Sequence, residues 1–330
     1  MRVLAADIGG TKTLLQIAEI ALPNYETVFE RRYKSAEYSE FTPMIDAFLH
    51  EARSAQVTIP SHACFAVAGP VKTVSGDQTA TVTNLPWGLS ANSLSALCGF
   101  RSVTLINDFE AVGIGIDALQ ADDLVFLQGE PETQAPRIII GAGTGLGVAQ
   151  MIWREDHYHV LASEGGHADF APNNGTQTEL LKYLWTRFEH VSYDRILSGP
   201  GLINIYTFLS KHTNTTAPLL SQADPAAAIS KAALERTDQN AVSAMDIFVD
   251  IYGAQAGNLA LLNLAYGGVF VAGGIAPKIL NRLKQPDFIS AFNRKGRMSN
   301  LVTKIPVAIV LNEKVGLMGA ALHASRVPLI

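Results

Sequence analysis

Three glycine-rich turns and two acidic clusters carry the chemistry available to this sequence. The turns are Asp7-Ile8-Gly9-Gly10-Thr11-Lys12-Thr13, Gly141-Ala142-Gly143-Thr144-Gly145-Leu146-Gly147 and Ala272-Gly273-Gly274-Ile275-Ala276-Pro277. Glycine at a tight turn lets backbone N–H groups approach an anion with no Cβ in the way. The first turn adds hydroxyls and an acid, Asp7, able to hold Mg²⁺ directly or through water, because magnesium keeps several waters and needs only one or two carboxylates. The second supplies a further cradle through Gly141, Gly143, Thr144 and Gly145. The third offers bare backbone at Gly273 and Gly274, where an adenine or ribose could rest. A dinucleotide fingerprint is excluded: counted from Gly141, Leu146 stands where the third glycine is needed, and the segment exits into a strand. A P-loop is excluded too, since Gly-Lys-Ser/Thr occurs nowhere.

The first acidic cluster ends an apolar strand, Thr104-Leu105-Ile106-Asn107-Asp108-Phe109-Glu110. Ligands of α/β folds sit at the carboxyl ends of strands, and Asp108 is also expected to cap the helix that follows. The second is Ser163-Glu164-Gly165-Gly166-His167-Ala168-Asp169-Phe170, a carboxylate and an imidazole flanking two glycines. A third acid, Asp194, precedes Leu197-Ser198-Gly199-Pro200-Gly201. Acids, an amide and an imidazole suit a polyhydroxylated ligand, whose hydroxyls each donate and accept. Zinc does not fit, because His167 has no further Cys or His at ligand spacing.

These residues need elements to hold them. Strand-like runs alternate with helical patterns throughout, an α/β reading. Residues 2–8, 14–20, 26–33, 62–68, 102–106, 269–272 and 306–311 read as strands, and 43–54, 108–119 and 315–326 as helices. Residues 174–263 read as largely helical, with breaks near Gly199-Pro200 and Pro218. The segments around Asp7 and Gly141 both run strand, glycine turn, strand, so each begins a hairpin, and the echo suggests duplicated α/β halves facing each other across a cleft.

The 330 residues suit two domains. A net charge of −5 argues against nucleic acid or an anionic membrane as partner. No apolar run reaches the roughly 18 residues that a membrane span needs, and the chain enters a strand at once, without the pattern of a cleavable signal. Two cysteines, Cys64 and Cys98, exclude a disulfide framework. The expectation is a cytoplasmic two-domain protein.

With these residues in hand, the chain closely resembles the bacterial glucokinase family of the hexokinase/actin/Hsp70 ATPase superfamily. The matching segments are Asp7-Ile-Gly-Gly-Thr, Ile106-Asn-Asp-Phe, Gly141-Ala-Gly-Thr-Gly-Leu-Gly, Glu164-Gly-Gly-His-Ala-Asp-Phe-Ala-Pro, Leu197-Ser-Gly-Pro-Gly-Leu and Phe270-Val-Ala-Gly-Gly-Ile, in the family's order and spacing. The resemblance implies two ribonuclease-H-like domains, residues 1–117 with 311–330 and residues 118–310, and transfer of the ATP γ-phosphate to the 6-hydroxyl of glucose with Mg²⁺. It places Asn107, Asp108, Glu164 and His167 on the sugar, with Asp108 as the general base. It places Ala6, Asp7, Ile8, Gly9, Gly10 and Thr11 on the ATP-binding loop, and it implies a homodimer. Two positions depart from related patterns. Where the family's last sugar-contacting acid is usually glutamate, this chain has Asp194. Where the related repressor/kinase family has a cysteine-rich zinc motif after its histidine, this chain has Ala171-Pro172-Asn173-Asn174. The alternatives are a kinase for another hexose and a sugar-sensing relative without catalysis.

Overall fold

The computed structural model describes residues 1–326. The chain forms two compact units, residues 1–121 together with the segment from 312 onward, and residues 122–311. Each has its own sheet and its own apolar core.

The first unit begins with β1 (Arg2–Ile8), β2 (Lys12–Ala21) and β3 (Asn24–Lys34), then helix α1 (Phe41–Ser54). It continues with β4 (His62–Val67), a small meander of β5 (Val71–Val74), β6 (Asp77–Thr81) and β7 (Gly88–Ser90), helix α2 (Ala91–Cys98), strand β8 (Ser102–Asn107) and helix α3 (Asp108–Gly115). Its main sheet has the order β3-β2-β1-β4-β8. β1 is antiparallel to β2 and parallel to β4, and β4 is parallel to β8. All six residues of β4 are buried, as a parallel strand covered on both faces requires. Helix α1 buries Phe41, Met44, Ile45, Phe48, Leu49 and Ala52, three and four residues apart, which is one helical stripe.

The second unit repeats the plan. Its strands are β9 (Leu124–Gln128), β10 (Arg137–Ala142), β11 (Leu146–Arg154), β12 (His157–Ser163), β13 (Gly268–Ala272) and β14 (Val307–Val310), in the order β12-β11-β10-β13-β14-β9. β10 is antiparallel to β11 and parallel to β13, as β1 is to β2 and β4. Between β12 and β13 run α4 (Gly175–Trp185), α5 (Gly199–His212), α6 (Pro225–Leu234) and the 25-residue α7 (Gln239–Asn263).

The expected strands and helices are present, with instructive differences. The break expected near Gly199-Pro200 is present, and the pair itself opens the next helix: the Ser198 hydroxyl accepts the Gly201 N–H at 3.0 Å, and proline fits the first turn, where its missing N–H has no partner to lose. The helix predicted over 108–119 ends at Gly115 and tightens into a 3₁₀ turn at Ile116–Ala118. Strands β5, β6, β7, β9 and β12 are present beyond those expected. β12 is a sheet edge of mixed burial without clean alternation, whereas β9 carries the short apolar run Leu124-Val125-Phe126-Leu127, which periodicity alone does not assign to a strand.

Helix α3 is seated by the helix Val315–Ser325, which packs along it and along β1. The two helices approach so closely at Gly319 that a Cβ there would run into the carbonyl of Ala111. Gly319→Ala is therefore expected to destabilise the protein by about 1–3 kcal/mol through overpacking. Chemical denaturation checks this, with Ala324→Gly in the same helix expected to stay near the smaller glycine penalty of about 1 kcal/mol.

Candidate active site

In the first unit the parallel register gathers strand ends. Asp7 pairs with Ala66 and Ala66 with Ile106, so Asp7 and the Asn107-Asp108 pair lie at the same edge of the sheet, with β4 between them. Two strand spacings make that separation roughly 10 Å along the backbone. Both acids feel burial. Desolvation raises Asp7, opposed by the Lys12 ammonium. Desolvation also pushes Asp108 up to about 6, the nearby Asp7 charge adds to the rise, and the Phe109 N–H partly offsets it.

Asp108 was expected to cap α3, but Asn107 does so. The Asn107 Oδ1 accepts from the N–H groups of Phe109 (2.9 Å) and Glu110 (3.3 Å). Its Nδ2 donates to the carbonyl of Gly69 at 3.1 Å. The reason is one residue of register: Asn107 keeps extended dihedrals (φ −65°, ψ 147°), and Asp108 is already the first helical residue. Asp108 Oδ1 accepts the N–H of Phe109 at 2.9 Å, and the Asn107 side chain also hydrogen-bonds the carboxylate.

The glycine turn after β1 is held from outside. Gly9 N–H donates to the Lys12 carbonyl at 3.0 Å. Ser35, fully buried, donates from its hydroxyl to the Gly9 carbonyl (2.7 Å) and from its N–H to the Thr11 carbonyl (3.1 Å). Sequence reasoning missed Ser35, since a lone serine following β3 carries no signal. Ala6 and Ile8 are buried within β1, Gly9 and Gly10 are half-buried, and Thr11 is exposed.

In the second unit the turn Gly143–Gly145 joins β10 to β11. Gly141 lies within β10, Gly143 N–H donates to the Gly145 carbonyl at 2.8 Å, and Thr144 is exposed at the tip. The buried Tyr252 hydroxyl accepts the Ala142 N–H at 3.2 Å, pinning the end of β10. Gly273 follows β13 with φ +83°, against the Ala142 carbonyl, where a side chain would not fit. Gly274 has open space around it, but the helix expected after this turn begins only at Leu280 and lasts four residues.

Glu164 and His167 both stand in solvent, with 3.9 Å between His167 Nε2 and Glu164 Oε2. The 3₁₀ turn Gly165–His167 brings them together, closed by the His167 N–H donating to the Glu164 carbonyl at 2.9 Å. Gly166 must be glycine because its Cβ would collide with the Leu146 carbonyl. Asp194 is half-buried, and its Oδ1 accepts the Leu146 N–H at 2.8 Å.

The residues at the first-unit edge fit a magnesium ion held chiefly by water and nucleotide phosphates. Two carboxylates raised by burial, Asp108 also by the Asp7 charge, gain from a nearby cation, and one or two acids suffice for magnesium.

Because Asn107 is the cap, Asp108→Asn is expected to leave the fold intact. Asp108 sits at about 6 in the fold against an ordinary 3.8, so ionising it opposes folding above pH 6, and that burden lifts as pH falls from about 6 towards 4. At pH 8 the variant's melting temperature should equal or exceed that of the unaltered protein, by an amount corresponding to at most about 3 kcal/mol. The difference should vanish near pH 4. Thermal unfolding across this range checks it, and a clear loss at pH 8 would contradict it.

A sequence profile of the glucokinase family matches residues 4–327. Glucokinase of Nostoc sp. is 45% identical, over 98% of this chain and 99% of that protein. Glucokinase of Cronobacter sakazakii is 35% identical, over 97% of this chain and 96% of that one. Among solved structures, glucokinase from an Antarctic psychrotroph superposes with a TM-score of 0.85 at 30% identity, covering 98% of both chains. The profile, the curated relatives and the solved structure agree over nearly the whole length: the chain belongs to the glucokinase family of sugar kinases.

Proposed function

We propose that the protein transfers the γ-phosphoryl group of ATP to the 6-hydroxyl of glucose, with Asp108 as the general base. Family membership makes it an ATP-dependent sugar kinase. The observation that carries the finer reading is Asp108 itself: a carboxylate at a strand end, raised to about 6 by burial and the nearby Asp7 charge, and relieved of capping by Asn107. A base poised near the working pH is the favourable case for proton transfer.

In this reading the sugar hydroxyls hydrogen-bond to Asn107 and Asp108 of one ribonuclease-H-like unit and to Glu164 and His167 of the other, donating to the two carboxylates. Asn107 has its carbonyl on the helix and one N–H on Gly69, and its side chain also bonds Asp108. The turns at Asp7–Thr11 and Gly141–Gly145, with Gly273 and Gly274, hold the nucleotide. Asp7 would hold Mg²⁺, chiefly through water, and the ion would supply charge neutralisation at the phosphates. The sugar O6 attacks the γ-phosphorus, its proton passes to the Asp108 carboxylate, and the bond to the β-phosphate oxygen breaks with its electron pair leaving on ADP. Such a transfer asks chiefly for positioning and charge neutralisation. The enzyme works in the cytoplasm as a homodimer.

Two measurements test this. Asp108→Asn should lower kcat by about 10²–10⁴ while calorimetry still finds glucose binding, since an amide can hydrogen-bond the hydroxyl but cannot take its proton. A folded variant turning over within about tenfold of the unaltered enzyme would remove Asp108 from the role. In the unaltered enzyme kcat/KM for glucose should fall as pH drops through about 6, as the base protonates. A coupled assay over a panel of hexoses should place glucose first; preference for another hexose would overturn the substrate.

A further inference from the structure

Asp194 is braced in a way that a sugar ligand does not need. Its Oδ1 lies 2.8 Å from the Leu146 N–H, at the exit of the turn between β10 and β11. The same oxygen lies 2.8 Å from where a Cβ on Gly145 would stand, so the carboxylate rests directly against the turn. The backbone of Asp194 is itself fixed. Its carbonyl accepts the hydroxyl of Ser198, 1% exposed, at 2.7 Å, and that hydroxyl in turn accepts the Gly201 N–H as the cap of α5. One residue earlier, the Tyr193 N–H donates to the Ala168 carbonyl at 3.0 Å. The turn is tied a second time to the same segment, where the Gly199 N–H donates to the Gly143 carbonyl at 2.9 Å.

We infer that Asp194 is a positioning residue for the glycine turn at Gly143–Gly145, holding the shape of the turn that meets the nucleotide rather than serving first as a sugar contact. The inference rests on the reading above that this turn holds nucleotide. A carboxylate accepting a backbone N–H makes a charge-assisted bond. The short aspartate reach brings that oxygen onto the turn; one methylene more would carry it past Leu146 N or force it aside against Gly145. Leu146 is thereby held by its N–H to Asp194, while the Gly166 backbone passes so near the Leu146 carbonyl that a Cβ there would collide with it. The Glu164–His167 turn and the phosphate turn therefore meet at Leu146.

The test separates acceptor, charge and ligand. Asp194→Asn keeps an acceptor for the Leu146 N–H and removes the charge; Asp194→Ala removes both. Calorimetry measures binding of the β,γ-imido analogue of ATP without glucose, and of glucose without nucleotide, beside KM for ATP, with thermal unfolding as control. Asp194→Ala should weaken the analogue and raise KM for ATP about tenfold, with Asp194→Asn rescuing both to within about threefold and glucose affinity staying within about threefold in each. Glucose affinity falling about tenfold in both variants with the analogue unaffected would overturn the inference, because the charge would then be serving the sugar. If Asp194→Ala does not fold, Asp194→Ser serves, its hydroxyl too short to reach the Leu146 N–H: selective loss of the analogue supports the inference and its full retention overturns it. An unaltered protein that binds glucose but no analogue would overturn the nucleotide reading of the turn and this inference with it.

Discussion

The parallel pairing of β1, β4 and β8 is the constraint on which the rest of the first unit depends. Parallel strands end at one edge, so residues far apart in sequence, Asp7 and Asn107-Asp108, come together there without any contact between their segments being written locally. The strand between them is buried throughout, which leaves the two acids a poorly hydrated edge. Low hydration pushes both carboxylates toward the neutral form, and the Asp7 charge pushes Asp108 further. The same edge therefore offers a proton acceptor near neutrality and an attraction for a divalent cation.

A division of labour between neighbours makes that edge usable. Asn107 takes the structural work of the α3 N-terminus and ties β8 to the Gly69 carbonyl. Asp108 accepts the Phe109 N–H and is bonded by the Asn107 side chain, and these bonds favour the ionised form. Burial outweighs them, with the Asp7 charge adding to the rise, and keeps the acid basic.

In the second unit the equivalent hairpin, β10 and β11, is supported by different means. The first turn leans on a buried serine, Ser35, through carbonyls at Gly9 and Thr11. The second leans on Tyr252, Asp194 and the amide of Gly199. One sheet order thus carries two unrelated sets of braces. The order comes from strand pairing and handedness of connection, whereas the braces depend on whichever side chains the surrounding helices present.

Much of this was legible in the chain alone. Glycine spacing, the apolar runs that end in Asn107-Asp108 and the stripe of α1 follow from local rules of turn sterics and periodicity, which operate within a few residues. The family motifs added the identities of the grouped residues. What local rules could not reach was which neighbour does which task. Whether Asn107 or Asp108 caps α3 depends on where β8 stops pairing with β4, a difference of one residue. Ser35 and Tyr252 carry no sequence signal, since their hydroxyls bond backbone groups 26 or more residues away. Strand β12 is an edge, where partial solvation removes the apolar pattern. Asp194 reads as a ligand in sequence because the resemblance places its motif partners on the sugar, yet its oxygen meets a backbone N–H 48 residues earlier. Composition, turns and strand cores are determined by short-range chemistry. The assignment of each polar group to its partner was decided by tertiary packing, because a hydrogen bond is settled by tenths of an ångström that no spacing in a sequence records.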